Sequence, residues 1–137
     1  MTPEQADLIR QSFDATWPVR RKLAANFYRR LFELAPDAQR LFSCDMERQH
    51  LKLMDTIAAI VGALADSELF QSIIHHTGRQ HADFGVNPSH FAAFGDALIE
   101  CLEQQFGADF TPELRQAWIA LYQAVSADMM KAAKRVA

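Results

Sequence analysis

The amino-acid sequence predicts an all-α fold, and three observations point to it. Gly and Pro are few, with five of each in 137 residues, and the prolines stand where helices begin rather than inside them. Apolar residues recur at intervals of three and four, which is the spacing of one helix face. No stretch alternates with a period of two, as a half-buried strand would.

The first half of the chain contains four predicted elements. Thr2 before Pro3 is a cap residue before a proline at the first helical position, so it predicts a helix start. The elements cover residues 3–16, 18–35, a short turn-like helix over 36–42, and 46–65. The three longer ones each carry an apolar stripe at helical spacing: Leu8, Ile9 and Phe13; Leu23, Phe27 and Leu31; Leu53, Ile57, Ile60 and Leu64.

The second half contains three more predicted helices, over 69–83, 88–106 and 112–134. Asn87 and Thr111 each precede a proline and predict two of the starts. The last helix has a stripe that is typical of a helix packed across several others; its members are Trp118, Leu121, Tyr122, Val125 and Met129. Because no repeat or linker interrupts the pattern, we expect one domain over 1–137.

Composition excludes several classes of protein. A 137-residue chain with 50% hydrophobic residues can bury a core without a disulfide or metal, and we expect Cys44 and Cys101 to be free thiols. The net charge is −3, and the absence of a long basic cluster argues against nucleic-acid binding. The longest apolar run, 57–65, is about half of the ~20 residues that a membrane span needs. We therefore expect a cytoplasmic protein with no nucleic-acid or membrane partner.

Histidine is the residue type that points to a site. The chain has five histidines, and no pair has the spacing of zinc ligands on one helix face. His81 differs because it lies near the predicted end of a helix and is followed by an apolar group: Phe84, Val86, Phe91 and Phe94. A neutral histidine in an apolar wall suits a single axial ligand to haem iron. The alternative is a solvated or hydrogen-bonded side chain, which is the common state of a histidine.

Several segments together resemble the globin family over essentially the whole chain. They are LIRQSF at 8–13, LFELAPDAQRLF at 31–42, GRQHADFGV at 78–86 and FTP at 110–112. The first two resemble neuroglobins and bacterial single-domain haemoglobins, and the site resembles the haem domain of flavohaemoglobins. The resemblance implies a globin fold of six to eight helices packed around one haem, with a short corner between the third helix and the distal helix.

The resemblance also implies which residues hold the haem. His81 becomes the proximal iron ligand through Nε2, with its Nδ1–H donating to a backbone carbonyl near Thr77. Phe42 matches the family's phenylalanine that stacks on the porphyrin. Further haem contacts are implied at Val86, Phe91 and Phe94, and at Lys52, which could reach a haem propionate or stay solvated. No Cys-x-x-Cys-His motif exists for covalent attachment, so the cofactor is a non-covalent haem b.

The distal side is implied by counting back from His81. Without a gap, Gln49 faces the bound gas and Leu53 lies one turn later, while Tyr28 matches the distal position of the second helix. A phenol O–H and an amide N–H can both donate to bound O₂, whose oxygen carries partial negative charge. His50 is the alternative distal residue, because one deletion in the following loop would bring it to that position and give iron ligated by two histidines. With Gln49 distal, His50 points sideways.

These residues imply a protein that reversibly binds O₂ and other diatomic gases, NO and CO, in oxygen transport or storage. The enzymatic alternative is an NO dioxygenase that works with a separate, unidentified reductase, and a third reading is a haem-based gas or redox sensor. Flavohaemoglobins have a Tyr and a Glu behind the proximal histidine, where this chain has Phe91 and Ala133. This departure favours gas binding over catalysis.

Overall fold

The structure, a computed structural model, confirms the all-α prediction. It describes residues 1–42, 45–83 and 86–136, and the side chains of all of these except 81–83 and 133–136. The α-helices are α1 (Pro3–Thr16), α2 (Arg20–Leu34), α3 (Met46–Gly62), α4 (Ser67–Asp83), α5 (Pro88–Phe106) and α6 (Pro112–Val136). Three 3₁₀ segments accompany them, at Trp17–Val19, Pro36–Leu41 and Gly107–Asp109.

The three predicted caps are confirmed. Thr2 Oγ1 accepts the N–H of Gln5 at 3.1 Å, and Gln5 Oε1 accepts the N–H of Thr2 at 3.0 Å, which together form a capping box. Asn87 caps α5 through its side-chain oxygen. Thr111 Oγ1 accepts the N–H of Leu114 at 3.2 Å. Each cap therefore accepts backbone N–H groups that have no acceptor within the first turn of the helix.

Two helix boundaries between α3 and α4 differ from the predicted ones. α3 ends at Gly62 instead of 65 because the N–H of Ala63 is shared between the carbonyls of Ala59 and Ile60, each at 3.1 Å, which tightens the turn. α4 begins at Ser67 instead of 69 because Asp66 Oδ1 caps it, accepting the N–H of Leu69 at 3.1 Å.

The core forms where α6 crosses α1 and α4 and where α2 crosses α5. Trp118 on α6 is 2% exposed, and its indole Nε1 donates to Ser12 Oγ on α1 at 2.9 Å. Helices α5 and α6 approach closely at Gly95, where a Cβ atom would lie 2.5 Å from the ring of Tyr122. This close approach needs glycine, because any larger side chain would displace that ring.

Two further expectations concern free cysteines and membrane spans. Cys101 is a buried free thiol, as predicted, and burial raises its pKa to about 11. Cys44 lies outside the described residues. Over the described part of the chain, none of the helices combines the length and apolar character that a membrane crossing demands.

Candidate functional site

Tyr28 is the centre of the candidate site. It lies on α2 and is only 3% exposed, with ring centroids 5.0 Å from Phe27, 5.9 Å from Phe32 and 5.3 Å from Phe42. Burial raises the pKa of Tyr28 to about 12, although a hydrogen bond with Gln49 acts in the opposite direction. The phenol therefore keeps its proton at neutral pH and can donate it in a hydrogen bond.

Gln49 makes the polar contact with this phenol. Its Nε2 donates to the Tyr28 hydroxyl oxygen over 3.2 Å. Asp45 fixes the start of α3 by accepting the N–H of Arg48 at 3.2 Å, so Gln49 lies in the first turns of that helix. A phenol oxygen that accepts an amide proton still has its own O–H to donate. None of the described residues accepts that proton, so the pair is able to bind a third group.

His50, the alternative distal residue, contacts Tyr28 as well. Its ring stacks on the phenol ring with centroids 5.3 Å apart and an interplanar angle of 18°. The imidazole also lines a cavity of about 290 Å³ that Arg20 and Arg21 border from α2. α3 therefore brings both distal candidates to Tyr28, with Gln49 on the hydroxyl and His50 on the ring face.

Leu53 and Lys52 follow one turn later on α3 and differ in exposure. Leu53 is 8% exposed and belongs to the core. Lys52 is exposed and lines a groove of about 510 Å³ between α3 and α4, whose α4 side includes Thr77 and Gln80. A volume of this size lies within the range of cofactor sites, roughly 300–1,000 Å³.

The proximal candidate His81 belongs to α4, one turn after Thr77. Its side chain lies outside the described residues, as does that of Ala133, so the predicted iron ligation and the bond to a carbonyl near Thr77 stay predictions. Val86, the first described residue after positions 84–85, is half-buried against the core.

The start of α5 supplies the remaining wall. Phe91 is 8% exposed, and its carbonyl accepts the hydroxyl proton of Tyr122 at 2.5 Å. Phe94 packs against Phe27 with centroids 4.5 Å apart and stacks on Tyr122 at 6.1 Å. Four rings, Phe94, Phe27, Tyr28 and Phe42, thus form a continuous series that we call the aromatic chain.

Sequence reasoning missed two members of this arrangement. The sequence pattern places Phe27 in an apolar stripe, and its position next to Tyr28 is the only signal that it belongs near the site. The sequence pattern places Tyr122 in the buried stripe of the last helix, whereas in the structure its hydroxyl donates to the Phe91 carbonyl in the first turn of α5. Gly95, a glycine inside the helical pattern, is a signal for such a close partner.

The described residues fit a flat, largely apolar cofactor with a polar ligand at its centre. The aromatic chain supplies ring faces and edges, which suit a porphyrin. The Tyr28–Gln49 pair supplies a buried donor with an available proton, and a buried donor without an acceptor costs free energy unless a ligand satisfies it. The site therefore combines an apolar wall with one polar recognition point.

Comparison with known proteins identifies the class. The family model described as Globin matches residues 25–129, and the chain belongs to the globin family. Among curated proteins, it is similar to the neuroglobin of Tetraodon nigroviridis, with 30% identity over 145 positions that cover 96% of this chain and 91% of the relative. The neuroglobin of Dissostichus mawsoni is 31% identical over 143 positions, covering 94% and 90%. The predicted globin fold is thereby confirmed.

The burial of both tyrosines predicts the alkaline behaviour of the protein. The chain has two tyrosines, and burial raises the pKa of each, that of Tyr28 to about 12. The two protonated tyrosines contribute fully to the free energy of unfolding below about pH 10, which is the pKa of tyrosine in the unfolded chain. This contribution is lost as the pH rises through the higher pKa values of the folded protein. Tyrosinate absorbance at 295 nm should therefore be absent at pH 10 and appear together with loss of helical circular dichroism. A tyrosinate signal at pH 10 with full helix content would contradict this.

Proposed function

We propose that this globin binds one non-covalent haem b, with His81 as the proximal iron ligand, and reversibly binds O₂. The observation that carries the proposal is the hydrogen bond from Gln49 Nε2 to the hydroxyl of buried Tyr28. When bound, the haem would supply the ferrous iron that holds a diatomic gas. We take residues 1–137 as one globin domain.

The chain's own residues would stabilise the gas on the distal side. Gln49 donates to the Tyr28 oxygen, which polarises the phenol, and a polarised O–H is a stronger donor. Tyr28 can then donate to an oxygen atom that carries partial negative charge. CO carries less charge at the same position, so this pair would favour O₂ over CO.

The apolar residues would keep water away and hold the cofactor. Phe42 lies beside Tyr28, and Phe91 and Phe94 belong to α5, so more than one element of the chain would supply aromatic surface to the porphyrin. Leu53 would close the distal pocket next to Gln49, and exposed Lys52 could reach a propionate from the rim of the groove between α3 and α4. A dry pocket strengthens the hydrogen bond from Tyr28.

The proposal extends to NO and CO, which are diatomics of similar size, and to oxygen transport or storage in the cytoplasm. The proposal includes a separate reductase, because O₂ binds only the ferrous iron and oxidised iron must be reduced again.

The spectrum of the ferrous, gas-free protein tests the proposal. We expect one haem per chain, a broad high-spin visible band without gas, and reversible changes on addition of O₂ or CO. Protein that retains no haem, or haem that binds no gas, would refute the function.

The same spectrum separates the two distal candidates. Sharp low-spin bands without gas would identify a second internal ligand and replace Gln49 with His50 as the distal residue. His50→Ala is the matched control: it should abolish such bands if His50 ligates, and leave a high-spin spectrum unchanged if it only stacks on Tyr28.

A further inference from the structure

His90 is a buried polar residue for which the proposed function has no use. It lies in the first turn of α5 and is 4% exposed. Burying an imidazole is costly unless both ring nitrogens are hydrogen-bonded. Both of them are, and their two partners belong to different parts of the chain.

The two hydrogen bonds fix the tautomer of His90. Nδ1 lies 3.2 Å from the backbone nitrogen of Asn87, and a backbone N–H can only donate, so Nδ1 is the acceptor. The ring proton is therefore on Nε2, which donates to Asp37 Oδ2 at 2.9 Å. The neutral Nε2–H form satisfies both contacts at once.

These bonds connect two segments that carry candidate haem contacts. Asp37 belongs to the 3₁₀ segment Pro36–Leu41, which leads directly into Phe42. Asn87 follows Val86 in the connection between α4 and α5. His90 and Asp37 are 53 residues apart in sequence, so this contact joins the Phe42 side of the site to its Val86 side.

A capping box alone does not require histidine. At the start of α1 the same backbone task is performed by Gln5, whose Oε1 accepts the N–H of Thr2 at 3.0 Å. Histidine carries a second nitrogen on the far side of its ring, and at position 90 that nitrogen reaches Asp37. The hydrogen bond from His90 lowers the pKa of Asp37, against a smaller opposing effect of burial, so the acceptor is ionised at neutral pH.

We propose that His90 is a positioning residue, which ties the Pro36–Leu41 segment to the start of α5 and so fixes the separation of Phe42 from Val86 across the haem crevice. The inference rests on the proposed haem site. Tyr122 supports the same turn of α5 from α6 through the carbonyl of Phe91. The first turn of α5 is thus held from two sides, by Asp37 through His90 and by Tyr122 through the carbonyl of Phe91.

Two variants remove the hydrogen bond between His90 and Asp37 and keep the capping box. Asp37→Ala removes the acceptor from a side chain that is 55% exposed, so the fold should tolerate it. His90→Glu retains an acceptor for the Asn87 N–H but replaces the donor to Asp37 with a like charge. Gln5→Ala is the matched control, because it removes an equivalent capping bond at the start of α1.

The readouts are the rate of haem transfer to an excess of apomyoglobin and the iron–histidine stretching frequency of the ferrous protein. We expect haem loss at least threefold faster in Asp37→Ala and in His90→Glu, with no additive effect in the double variant, and a shifted stretching frequency. Gln5→Ala should match the wild type in both. Haem loss and frequency at wild-type values in Asp37→Ala would overturn the proposal.

A measurement on the haem-free protein separates this inference from the proposed function. Long-range ¹H–¹⁵N spectra should show His90 as the Nε2–H tautomer, and Asp37→Ala should shift the amide signals of Phe42 and Val86, which Gln5→Ala should not. An Nδ1–H tautomer or unshifted signals would overturn the positioning role. Wild-type protein that binds no haem would instead contradict the proposed function.

Discussion

Replacing His81 with alanine should abolish normal retention of haem, which is the largest effect that we expect from a single substitution. As the proposed proximal ligand, His81 would bond to the iron, so its loss should weaken haem binding at least ~100-fold, equivalent to ~2.7 kcal/mol. Haem transfer to excess apomyoglobin, followed in the Soret region, measures this loss. Iron ligation that is unchanged in the variant would overturn the proposed site.

Two controls separate loss of the ligand from loss of the fold. His75→Ala changes a histidine of the same helix that does not line the groove between α3 and α4 and should retain haem as the wild type does. His81→Gly leaves room for a free imidazole, which should restore haem binding and the wild-type spectrum. Failure of imidazole to rescue a variant with full helix content would count against ligation by His81.

Replacing Tyr28 with phenylalanine should speed the dissociation of O₂ by ~10- to 100-fold, equivalent to ~1.4–2.7 kcal/mol of lost hydrogen bonding. The substitution keeps the ring that contacts Phe27 and Phe42 and removes only the hydroxyl. CO dissociation should change much less, because CO presents less negative charge to the donor. Stopped-flow displacement of each gas measures the two rates.

The other tyrosine of the chain provides the matched control. Tyr122→Phe removes a hydroxyl that donates to the carbonyl of Phe91 and should leave the ratio of O₂ to CO dissociation rates near that of the wild type. Gln49→Leu should also speed O₂ loss, and its effect should be smaller in the Tyr28→Phe background because the two side chains act as one unit. Equal speeding of O₂ and CO in Tyr28→Phe would indicate a steric effect and contradict the proposed donor role.

Local chemistry explains why most of the fold could be predicted. Thr2, Asn87 and Thr111 each signal a helix start within three residues of sequence, and their caps were predicted correctly. The end of α3 was placed three residues too late because apolar residues continue past Gly62, while the turn at Ala63 depends on a shared backbone hydrogen bond. Apolar periodicity carries no information about such a bond.

For the candidate site, the sequence predicts the helical positions of the residues but not the contacts between their side chains. The resemblance predicts Tyr28 and Gln49 as a distal pair, whereas the hydrogen bond between them, which spans 21 residues of sequence, comes only from the structure. The stacking of His50 on Tyr28 was not predicted, since its helical position alone directed it sideways. His90 gave no signal because its partner, Asp37, lies on another element. Long-range contacts of single side chains require the packed structure.

The central place of α2 has a consequence for the way the molecule opens. Its side chains pack against α3, α5 and the Pro36–Leu41 segment, and Phe27 and Tyr28 belong to the aromatic chain. Local unfolding of α2 would therefore expose core on three sides, which makes it a costly opening of the molecule. The Tyr28 hydroxyl thus lies on a part of the molecule that resists local opening, so the proposed donor would stay in position between binding events.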